Sequence, residues 1–294
     1  MNQAVCSFCQ TNARPLFKVQ DLNRRLSNEV FTYYHCPNCQ LIFLSPHPVD
    51  LGKYYPDNFH TIPTSLEQTE RDSQTDLFKL QTVQKHANSG RLLEVGSSYG
   101  GFAYLSKKAG FDVDVIEMDA RCCDFLTNIV GVRAINSADP VEAMRSLGKY
   151  DVIALWQVIE HLPKPWLTLQ SLAEHLNPGG VLILAAPNPN SFQFRLMGRR
   201  WPHLDAPRHL TLIPTAVLRS YLKTFQLTLA AETTCDAGGL YWNKFGWQRW
   251  LGNFFSSRGG RLTNLIGRCM TKLVSPVERR GMNGSTYTLV FRKG

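Results

Sequence analysis

Short apolar segments alternate with helix-like segments between residues 91 and 187, and this alternation constrains the fold more than any other feature. The apolar segments read RLLEVG, DVDVIEMD, YDVIALW and GVLILAAP, and stretches such as GGFAYLSKKAG and ARCCDFLTNIVG lie between them. Strands that alternate with helices in this way are typical of a parallel sheet. We therefore expect an α/β protein with a doubly wound, mostly parallel sheet and helices on both faces.

The first of these strands ends in a turn of small residues. In LLEVGSSYGGF the turn contains Gly96, Ser98 and Gly100, and Glu94 lies two residues before the first glycine. Missing side chains at such a turn let backbone N–H groups approach a ligand at the helix N-terminus. The next strand ends in Glu117, 23 residues after Glu94, where a carboxylate can accept both ribose hydroxyls. The pattern predicts a site for an adenosine-containing ligand.

Three segments together resemble the class I S-adenosylmethionine-dependent methyltransferases, which have a Rossmann-like fold. The turn stands as Glu94-Val-Gly96-Ser-Ser98-Tyr-Gly100, with a serine at the family's middle glycine. YDVIALWQVIEHL resembles the fourth-strand motif, and LNPGGVLILAAP resembles the following turn and fifth strand. The resemblance covers residues 91–222 and implies S-adenosylmethionine as the cofactor.

The resemblance also implies roles for individual residues at that cofactor. Glu94 would face the amino group of the methionine part, Gly96 the backbone path, and Glu117 the ribose. Met118 would lie on the adenine face, and Trp156 would be the fourth-strand contact. The other residues expected at the cofactor are Ser97, Ser98, Gly100, Ala138, Asp139 and Tyr55.

A nicotinamide dinucleotide site is the competing interpretation of the same turn. Gly96, Ser98 and Gly101 imperfectly follow the G-x-G-x-x-G spacing of such sites. The acidic residue before the first glycine, the Pro-Gly-Gly turn and the Glu160-His161 pair fit the methyltransferase pattern together. We therefore favour S-adenosylmethionine over the dinucleotide.

Two CxxC pairs stand near the N-terminus, Cys6 with Cys9 and Cys36 with Cys39. Each pair can offer two thiolates to one tetrahedral ion, for which Zn²⁺ is the favoured occupant and an iron–sulfur cluster the alternative. Four sulfur ligands leave no open position for water, so the ion would be structural. We expect a zinc-ribbon-like module in residues 1–50 and reduced cysteines elsewhere.

The N-terminal segment, including LIFLSPHPVDLGKYYPDNF, resembles bacterial methyltransferases that carry such a knuckle before the core. These enzymes often modify sugars, lipids or polyketide-like metabolites. The resemblance implies that Tyr54 and Tyr55 approach the cofactor. Residues 51–90 are polar with a helical pattern near Asp76 to His86, and we expect them to form a linker and lid helices.

Candidate bases for an acceptor hydroxyl or acidic C–H follow the fourth and fifth strands, because loops after strand ends carry chemistry. One group is Glu160 with His161, and the loop RRWPHLDAPRHLTLIP offers another, with His209 before a helix. We take His209 as the first candidate base and His161 as the second. The structural alternatives are a loop hydrogen bond for His209 and a helix-start position for His161.

The positive charge of the chain is concentrated at its end. Residues 241–294 contain ten Lys and Arg and one acidic residue, whereas residues 1–240 contain 22 residues of each sign. Two segments have apolar residues at helical spacing. The first set is Trp247, Trp250, Leu251, Phe254 and Phe255, and the second is Leu262, Leu265, Ile266, Cys269, Met270 and Leu273. Basic residues flank them, including Arg258, Arg261, Arg268 and Lys272. Residues 240–275 could rest on an anionic membrane or, alternatively, pack against the core or a partner.

We expect a methyltransferase core in residues 91–238 and amphipathic basic helices with a closing strand in residues 239–294. The leading hypothesis is methylation of an O or C atom of a metabolite, with a glycan or lipid-linked intermediate as the acceptor class. The alternatives are an RNA-modifying methyltransferase and a non-catalytic cofactor-binding relative that acts in assembly. Without a signal-like start or a long apolar run, a cytoplasmic location with peripheral membrane association is expected. The pattern sets no oligomeric state.

Overall fold

Two sheets organise the computed structural model, which describes residues 4–56, 59–254 and 260–294. The first sheet is antiparallel, and the second is mixed. The strands within these ranges are β1 (Ala4–Val5), β2 (Asn12–Val19), β3 (Phe31–His35), β4 (Ile42–Leu44), β5 (Gly90–Val95), β6 (Phe111–Glu117), β7 (Arg133–Asn136), β8 (Tyr150–Trp156), β9 (Leu176–Pro187), β10 (Thr211–Leu212), β11 (Leu227–Thr233) and β12 (Thr286–Lys293).

Helices cover both faces of the second sheet, and several short 3₁₀ turns connect the elements. The α-helices are α1 (Leu66–Ser73), α2 (Leu77–Gln84), α3 (Gly101–Lys108), α4 (Ala120–Phe125), α5 (Pro140–Met144), α6 (Pro165–Glu174), α7 (Phe192–Met197), α8 (Thr215–Lys223), α9 (Ala237–Phe254) and α10 (Arg261–Glu278). A π-helical turn, Leu126–Val130, continues α4.

The mixed sheet has the strand order β11-β12-β9-β8-β5-β6-β7. Strands β5 to β9 pair in parallel, and their apolar residues are buried on both faces, as at Leu92 and Leu93 of β5. Strands buried on both faces have continuous apolar sequences. The predicted Rossmann-like α/β fold is confirmed. The strand order reverses between β5 and β8, and ligands bind outside the carboxyl ends of strands at such a switch point.

The central sheet takes a strand from the end of the chain. Strand β12 lies between β9 and β11 and is antiparallel to both. Its residues from Thr286 to Phe291 are all buried. The last residues are therefore part of the core sheet, although the sequence pattern suggested that the core ends at residue 238.

The first sheet joins the N-terminal segment to the rest of the protein. It has the order β1-β2-β3-β4-β10, so a strand of the loop after β9 extends the N-terminal strands. The pairing of β4 with β10 includes a hydrogen bond from the Leu44 N–H to the Leu210 carbonyl, at 2.8 Å. Residues 4–44 consequently share a sheet with the segment that follows His209.

Helices α9 and α10 lie against each other at the C-terminal side. Trp247 of α9 is fully buried, and it belongs to an apolar cluster with Tyr33 of the first sheet and Trp201 of the loop after α7. The predicted apolar stripe of α9 is therefore directed, at Trp247 and Leu251, into the protein. Phe255 and Arg258 lie outside the described residues, as do the side chains of Phe254, Arg261 and Leu262.

Candidate functional site

A cavity of about 500 Å³ opens at the carboxyl ends of the parallel strands. Loops after β5, β6, β7 and β8 form one side of it, and the segment before α1 forms the other. The wall residues are Leu51, Gly52, Tyr55, Phe59, His60, Val95, Gly96, Ser98, Ile116, Glu117, Met118, Ser137, Ala138, Pro140, Trp156, Gln157, Val158, His161, Leu162 and Pro163. The volume suits one small-molecule ligand, and the wall is mostly apolar with a few polar groups, as is usual for such sites.

The glycines of the turn after β5 are required by close packing. Gly96 has φ +76°, and a Cβ atom there would lie 2.5 Å from Cγ2 of Val158. Gly100, the residue before α3, has φ +84°, and its Cβ would lie 2.3 Å from Cδ2 of Leu126. Side chains are excluded at both positions. Gly96 lies on the cavity wall, whereas Gly100 lies behind it and shapes the turn.

Ser98 occupies the position where the resemblance predicts glycine. Its φ is +53°, a left-handed conformation that costs roughly 1 kcal/mol for a residue with a Cβ. Its N–H donates to Oε2 of Glu117 at 2.8 Å, and its hydroxyl lies 2.8 Å from Nδ1 of His60. The serine therefore connects the turn after β5 to the end of β6 and to the opposite wall.

Glu117 is held in position by the backbone. Its Oε1 accepts hydrogen bonds from the N–H groups of Met118 and Asp119, at 2.8 and 2.9 Å, while Oε2 accepts from Ser98. The residue is 4% exposed and borders the cavity. A fixed carboxylate with remaining lone pairs can accept hydrogen bonds from the two hydroxyls of a ribose.

Glu94 lies behind the wall, beside the turn. Its Oε2 accepts a hydrogen bond from the Ser97 hydroxyl at 2.6 Å. Neither residue borders the cavity. Burial raises the pKa of Glu94 to about 7, although nearby Lys79 and the Ser97 hydrogen bond act in the opposite direction. A positively charged ligand group near the turn would favour the ionised carboxylate.

The other predicted cofactor residues divide into wall and support positions. Met118, Ala138 and Trp156 border the cavity. Asp139 does not border the cavity. Its side chain instead caps α5, where Oδ1 accepts hydrogen bonds from the N–H groups of Val141 and Glu142. A short loop places consecutive residues on different sides of the chain, which sequence order alone does not show.

Several wall residues were not selected from the sequence. Among them, Phe59, His60 and Gln157 bear large or polar side chains. Phe59 stacks beside Tyr55, with ring centroids 4.9 Å apart, on the side of the cavity opposite the sheet. Gln157 directly follows β8 and has φ +60°. The position of Gln157 after a parallel strand was the available signal. Phe59 ends the segment LIFLSPHPVDLGKYYPDNF, which resembles other methyltransferases, whereas His60 belongs to no motif.

Tyr55 and His161 meet at the cavity wall. The Tyr55 hydroxyl lies 2.8 Å from Nδ1 of His161, and the Arg208 carbonyl lies 3.1 Å from the same nitrogen. Burial and the neighbouring His209 lower the pKa of His161 to about 3. The imidazole is therefore neutral at physiological pH, and it reaches the cavity wall.

Glu160 and His209 lie behind His161. The rings of His161 and His209 are edge to face, with centroids 4.6 Å apart, and Nδ1 of His209 donates to the His203 carbonyl at 2.7 Å. Burial raises the pKa of Glu160 to about 8 and lowers that of His209. The first candidate base, His209, does not border the cavity, so it can reach an acceptor only through its neighbours.

Comparison with known proteins assigns the chain to a family. A family model described as "Methyltransferase domain" matches residues 68–232, which is more than half of the chain. The chain belongs to this methyltransferase family. The match includes the cofactor end of the cavity together with Glu160, His161 and His209.

This methyltransferase is similar to several curated proteins named ubiquinone biosynthesis O-methyltransferase. It is 29% identical over 140 residues to the ubiquinone biosynthesis O-methyltransferase of Bordetella avium, covering 44% of this chain and 58% of the relative. It is 28% identical over 164 residues to the protein of that name from Bordetella bronchiseptica, covering 52% of this chain and 66% of the relative. The matched segments thus span between about half and two thirds of these relatives.

Solved structures show the same fold at low identity. A SAM-dependent methyltransferase from Archaeoglobus fulgidus superposes with a TM-score of 0.50 at 14% identity, covering 76% of this chain and 94% of that one. A methyltransferase-like structure from Bacillus halodurans has a TM-score of 0.51 at 13% identity, covering 74% and 99%. These likenesses support the fold assignment.

The N-terminal sheet holds the loop that carries His209 in this methyltransferase. The Tyr33 hydroxyl on β3 donates to the carbonyl of His209, at 2.6 Å, and its oxygen also lies 3.1 Å from the Leu204 carbonyl. Asp21 and Arg208 form a fully buried ion pair at 2.8 Å, which Asp205 extends. These contacts and the β4–β10 pairing fix the loop that places His209 beside His161.

The four N-terminal cysteines form one cluster, as expected. A sulfur of each lies within 4.8 Å of the others, and the Cys6–Cys39 and Cys9–Cys36 sulfur distances are 3.6 and 3.4 Å. Sulfurs around one Zn²⁺ at 2.3 Å lie about 3.8 Å apart. Both knuckles repeat one backbone pattern, in which Gln10 and Gln40 adopt positive φ and donate to Cys6 and Cys36. The cluster is compatible with a small zinc module.

The outer face of α10 combines apolar and basic side chains. Leu265, Ile266, Leu273 and Val277 are exposed, and Leu273 is 75% exposed. Arg268, Lys272, Arg279 and Arg280 are exposed as well. Within the described residues, no helix combines the length and apolar character that crossing a membrane requires.

Proposed function

We propose that this protein transfers a methyl group from S-adenosylmethionine to a hydroxyl oxygen of a small metabolite. The observation that carries the proposal is that one cavity is bordered both by Glu117, a carboxylate placed to accept ribose hydroxyls, and by His161, a neutral imidazole. The O-methyltransferase names of the curated relatives support oxygen over carbon as the acceptor atom.

The cofactor end fits S-adenosylmethionine. Gly96 and Ser98 keep the backbone close to the cavity, Glu117 would accept the ribose hydroxyls, and Met118 with Ala138 would border the adenine. Glu94, behind the turn, would favour the ligand's ammonium group through its charge. When bound, S-adenosylmethionine supplies a methyl group on a positively charged sulfur, which is strongly electrophilic.

The acceptor end would position the hydroxyl and take part in removing its proton. In such a transfer the acceptor oxygen forms the new O–C bond, the C–S electron pair returns to sulfur, and the hydroxyl proton leaves. Proximity and proton removal are what a protein contributes to this displacement. His161 is the candidate on the wall, with Tyr55 beside it, and Glu160 and His209 would act through it.

The acceptor is expected to carry an apolar portion. Leu51, Phe59, Leu162 and Pro163 line the wall. An aromatic ring or lipid-linked group would bury apolar surface there, whereas a bare glycan would leave its hydroxyls unpaired. Among the metabolite classes considered, the cavity therefore favours an aromatic or lipid-linked hydroxyl over an unmodified sugar.

Calorimetry with S-adenosylmethionine and S-adenosylhomocysteine tests the cofactor assignment. We expect binding to the full chain, and we expect Glu117→Gln to weaken it by roughly 10- to 100-fold, because charge-assisted hydrogen bonds contribute about 1.5–3 kcal/mol. Asp124→Asn, an exposed carboxylate on neighbouring α4, is the matched control and should leave the affinity unchanged. Preference for a nicotinamide dinucleotide would overturn the proposal.

RNA methylation is the rival activity, and the basic tail motivates its test. Binding of RNA that weakens steeply with salt and needs Arg268 and Lys272 would favour that activity. A non-catalytic role would be favoured by cofactor binding without turnover across a panel of phenolic, lipid-linked and sugar hydroxyls. We expect methyl transfer to the phenolic members of that panel.

The four-cysteine cluster is proposed to hold one structural Zn²⁺. The sulfur spacing and the two repeated knuckles support this occupant. Phe8 of the first knuckle packs on Trp166 of α6, with ring centroids 4.9 Å apart, and Trp166 donates from Nε1 to the Ser7 hydroxyl. The ion would therefore stabilise a module that is packed directly on the catalytic core.

The exposed face of α10 is proposed to contact anionic lipid surfaces. Exposed leucines between basic side chains are the arrangement by which amphipathic helices bind such surfaces. We expect co-sedimentation with phosphatidylglycerol vesicles, weaker with phosphatidylcholine, and reduced by Leu265→Ser with Leu273→Ser. Leu167→Ser, an exposed leucine on α6, is the control. Equal sedimentation of all variants would contradict the contact.

A further inference from the structure

Glu160 is a buried carboxylic acid that lacks a side-chain hydrogen bond. The residue is 1% exposed, and neither carboxyl oxygen has a hydrogen-bond partner among the described residues. Buried carboxylates in folded proteins are generally hydrogen-bonded, paired with a cation or bound to a metal ion. The missing partner of Glu160 therefore indicates a group that binds there.

Two imidazoles lie next to this carboxylate. One carboxyl oxygen of Glu160 and one ring nitrogen each of His161 and His209 lie within 4.8 Å of one another. Ligand atoms with bonds of about 2.1 Å to one ion lie at most about 4.2 Å apart, so side-chain shifts of about half an ångström complete the set. Two imidazoles and a carboxylate are a common ligand set for divalent transition metals and Zn²⁺.

Both histidines make the secondary hydrogen bonds that metal ligands usually make. Nδ1 of His209 donates to the His203 carbonyl at 2.7 Å, so Nε2 of the neutral ring has a free lone pair. Nδ1 of His161 lies 3.1 Å from the Arg208 carbonyl and 2.8 Å from the Tyr55 hydroxyl. Such contacts to backbone carbonyls orient metal-binding histidines and increase their basicity. They leave the second nitrogen of each ring for a ligand.

We propose that Glu160, His161 and His209 bind one divalent cation, which holds and activates the acceptor hydroxyl. This inference rests on the proposed function and specifies how its acceptor end works. Three protein ligands leave coordination positions open, and His161 borders the cavity. The cation accepts a lone pair of the hydroxyl oxygen and makes the hydroxyl more acidic, and the proton passes to water.

The cation also accounts for the position of His209. A histidine that does not reach the cavity wall is poorly placed as a direct base, but it is well placed as a ligand behind His161. The N-terminal sheet fixes its backbone through Tyr33 and the β4–β10 pairing. Precise placement of ligands is what a metal site requires from its surroundings.

Titration of the full chain with Mn²⁺, followed by electron paramagnetic resonance of the free ion, tests the site. Thiolates bind Mn²⁺ weakly, so the four-cysteine cluster, loaded with its own metal, does not interfere. We expect one Mn²⁺ per chain. Glu160→Gln and His209→Gln should each weaken binding at least about 10-fold, whereas His86→Gln, at the far end of α2, should leave it unchanged.

Relaxation of the ¹³C-methyl group of bound S-adenosylmethionine provides the second measurement. Mn²⁺ at this site lies beside the cofactor cavity and should shorten the methyl relaxation time, and Glu160→Gln should abolish the effect. If His209→Gln does not fold, Glu160→Gln, which preserves the side-chain volume, still carries the test. Thermal unfolding of each variant identifies which of them fold.

The outcomes separate this inference from the proposed function. Cofactor binding without Mn²⁺ binding at millimolar concentration would overturn the cation site and leave the methyltransferase proposal in place. Mn²⁺ binding that survives both Glu160→Gln and His209→Gln would also overturn it. Absence of cofactor binding by the folded wild-type chain would overturn the proposed function, and with it the cation's role at the acceptor.

Discussion

The cofactor end and the acceptor end of the cavity are built in different ways. At the cofactor end, Gly96, Ser98, Glu117 and Ala138 follow three successive strands, and backbone N–H groups orient the Glu117 carboxylate. At the acceptor end, Tyr55, His161 and His209 come from segments about 50 to 150 residues apart in the chain. Long-range contacts to the N-terminal sheet hold them together.

This difference indicates which parts of the protein support which step. The central sheet positions the proposed cofactor end, because Gly96, Glu117 and Ala138 lie at or directly after strand ends. The acceptor end depends on β3, β4 and the Asp21–Arg208 ion pair, which lie outside that sheet. Perturbations of the N-terminal module should therefore damage the acceptor end and spare cofactor binding.

Removal of metal from the four-cysteine cluster should have the largest effect. Binding of structural Zn²⁺ contributes on the order of 10 kcal/mol to small modules, so its loss should unfold the knuckles. We expect faster hydrogen exchange in residues 4–44 and 203–212, with S-adenosylhomocysteine affinity reduced less than about 10-fold. Restoration by Zn²⁺ is the control. Hydrogen exchange that increases equally at β5 and β6 would refute the claim that the N-terminal module supports the acceptor end and not the cofactor end.

Breaking the buried ion pair should have the next largest effect. Asp21→Ala leaves Arg208 with Asp205 alone in a buried position, and loss of one partner of a buried pair costs about 3–5 kcal/mol. Urea unfolding measures the change. Glu29→Ala removes an exposed partner of Lys53 and should leave the midpoint unchanged. Equal effects of the two substitutions would show that burial of the pair is irrelevant.

Glu94 should make the stability of the cofactor end dependent on pH. Its folded pKa of about 7 is above the unfolded value, so its contribution to stability is complete below pH 4.5 and is lost as pH rises through 7. Glu94→Gln should therefore be more stable than wild type at pH 8, by up to about 3 kcal/mol, with little difference at pH 4.5.

The same substitution should weaken S-adenosylmethionine binding at pH 8, because the carboxylate charge is lost. Lys79, Asp76 and Glu117 also influence Glu94, so Lys79→Met serves as a second variant and should raise the pKa of Glu94 further. Unfolding curves at pH 5 and pH 8 measure the effect. A stability difference between wild type and Glu94→Gln that is independent of pH would contradict a raised pKa of Glu94.

Ser98 should show the smallest effect. Ser98→Gly relieves the left-handed strain but loses the hydroxyl contact with His60, and each of these is worth about 1 kcal/mol. We expect almost unchanged stability for Ser98→Gly and a loss of about 1 kcal/mol for Ser98→Ala, which keeps the strain. Thermal unfolding compares Ser98→Gly with Ser98→Ala. Equal stability of the two variants would show that backbone strain at residue 98 does not affect the stability of the protein.

The cofactor end was largely predictable from the sequence. Gly96, Ser98 and Glu117 were selected from strand ends and motif spacing, and Met118, Ala138 and Trp156 from the family resemblance. All six border the cavity. The supporting roles of Gly100, Ser97 and Asp139 were not distinguished from wall positions. Turns in the backbone decide which neighbouring side chains face the ligand, and spacing does not report them.

The acceptor end was only partly predictable. Glu160, His161 and His209 were selected from their positions after strands, but the sequence did not indicate that His209 and Glu160 lie behind His161. Phe59 and His60 were not selected. Their location depends on how the segment before α1 crosses the sheet, which has no local pattern.

The sequence by itself determined the α/β fold, the turn and strand-end residues that border the cavity, and the four-cysteine cluster, because hydrophobic periodicity and motif spacing are local properties of the chain. Only the tertiary structure decided that β12 enters the core sheet, that β4 pairs with β10, and that Glu160, His161 and His209 meet. These arrangements arise from pairing between distant segments, whose free energy depends on burial and geometry that appear only when the chain is folded.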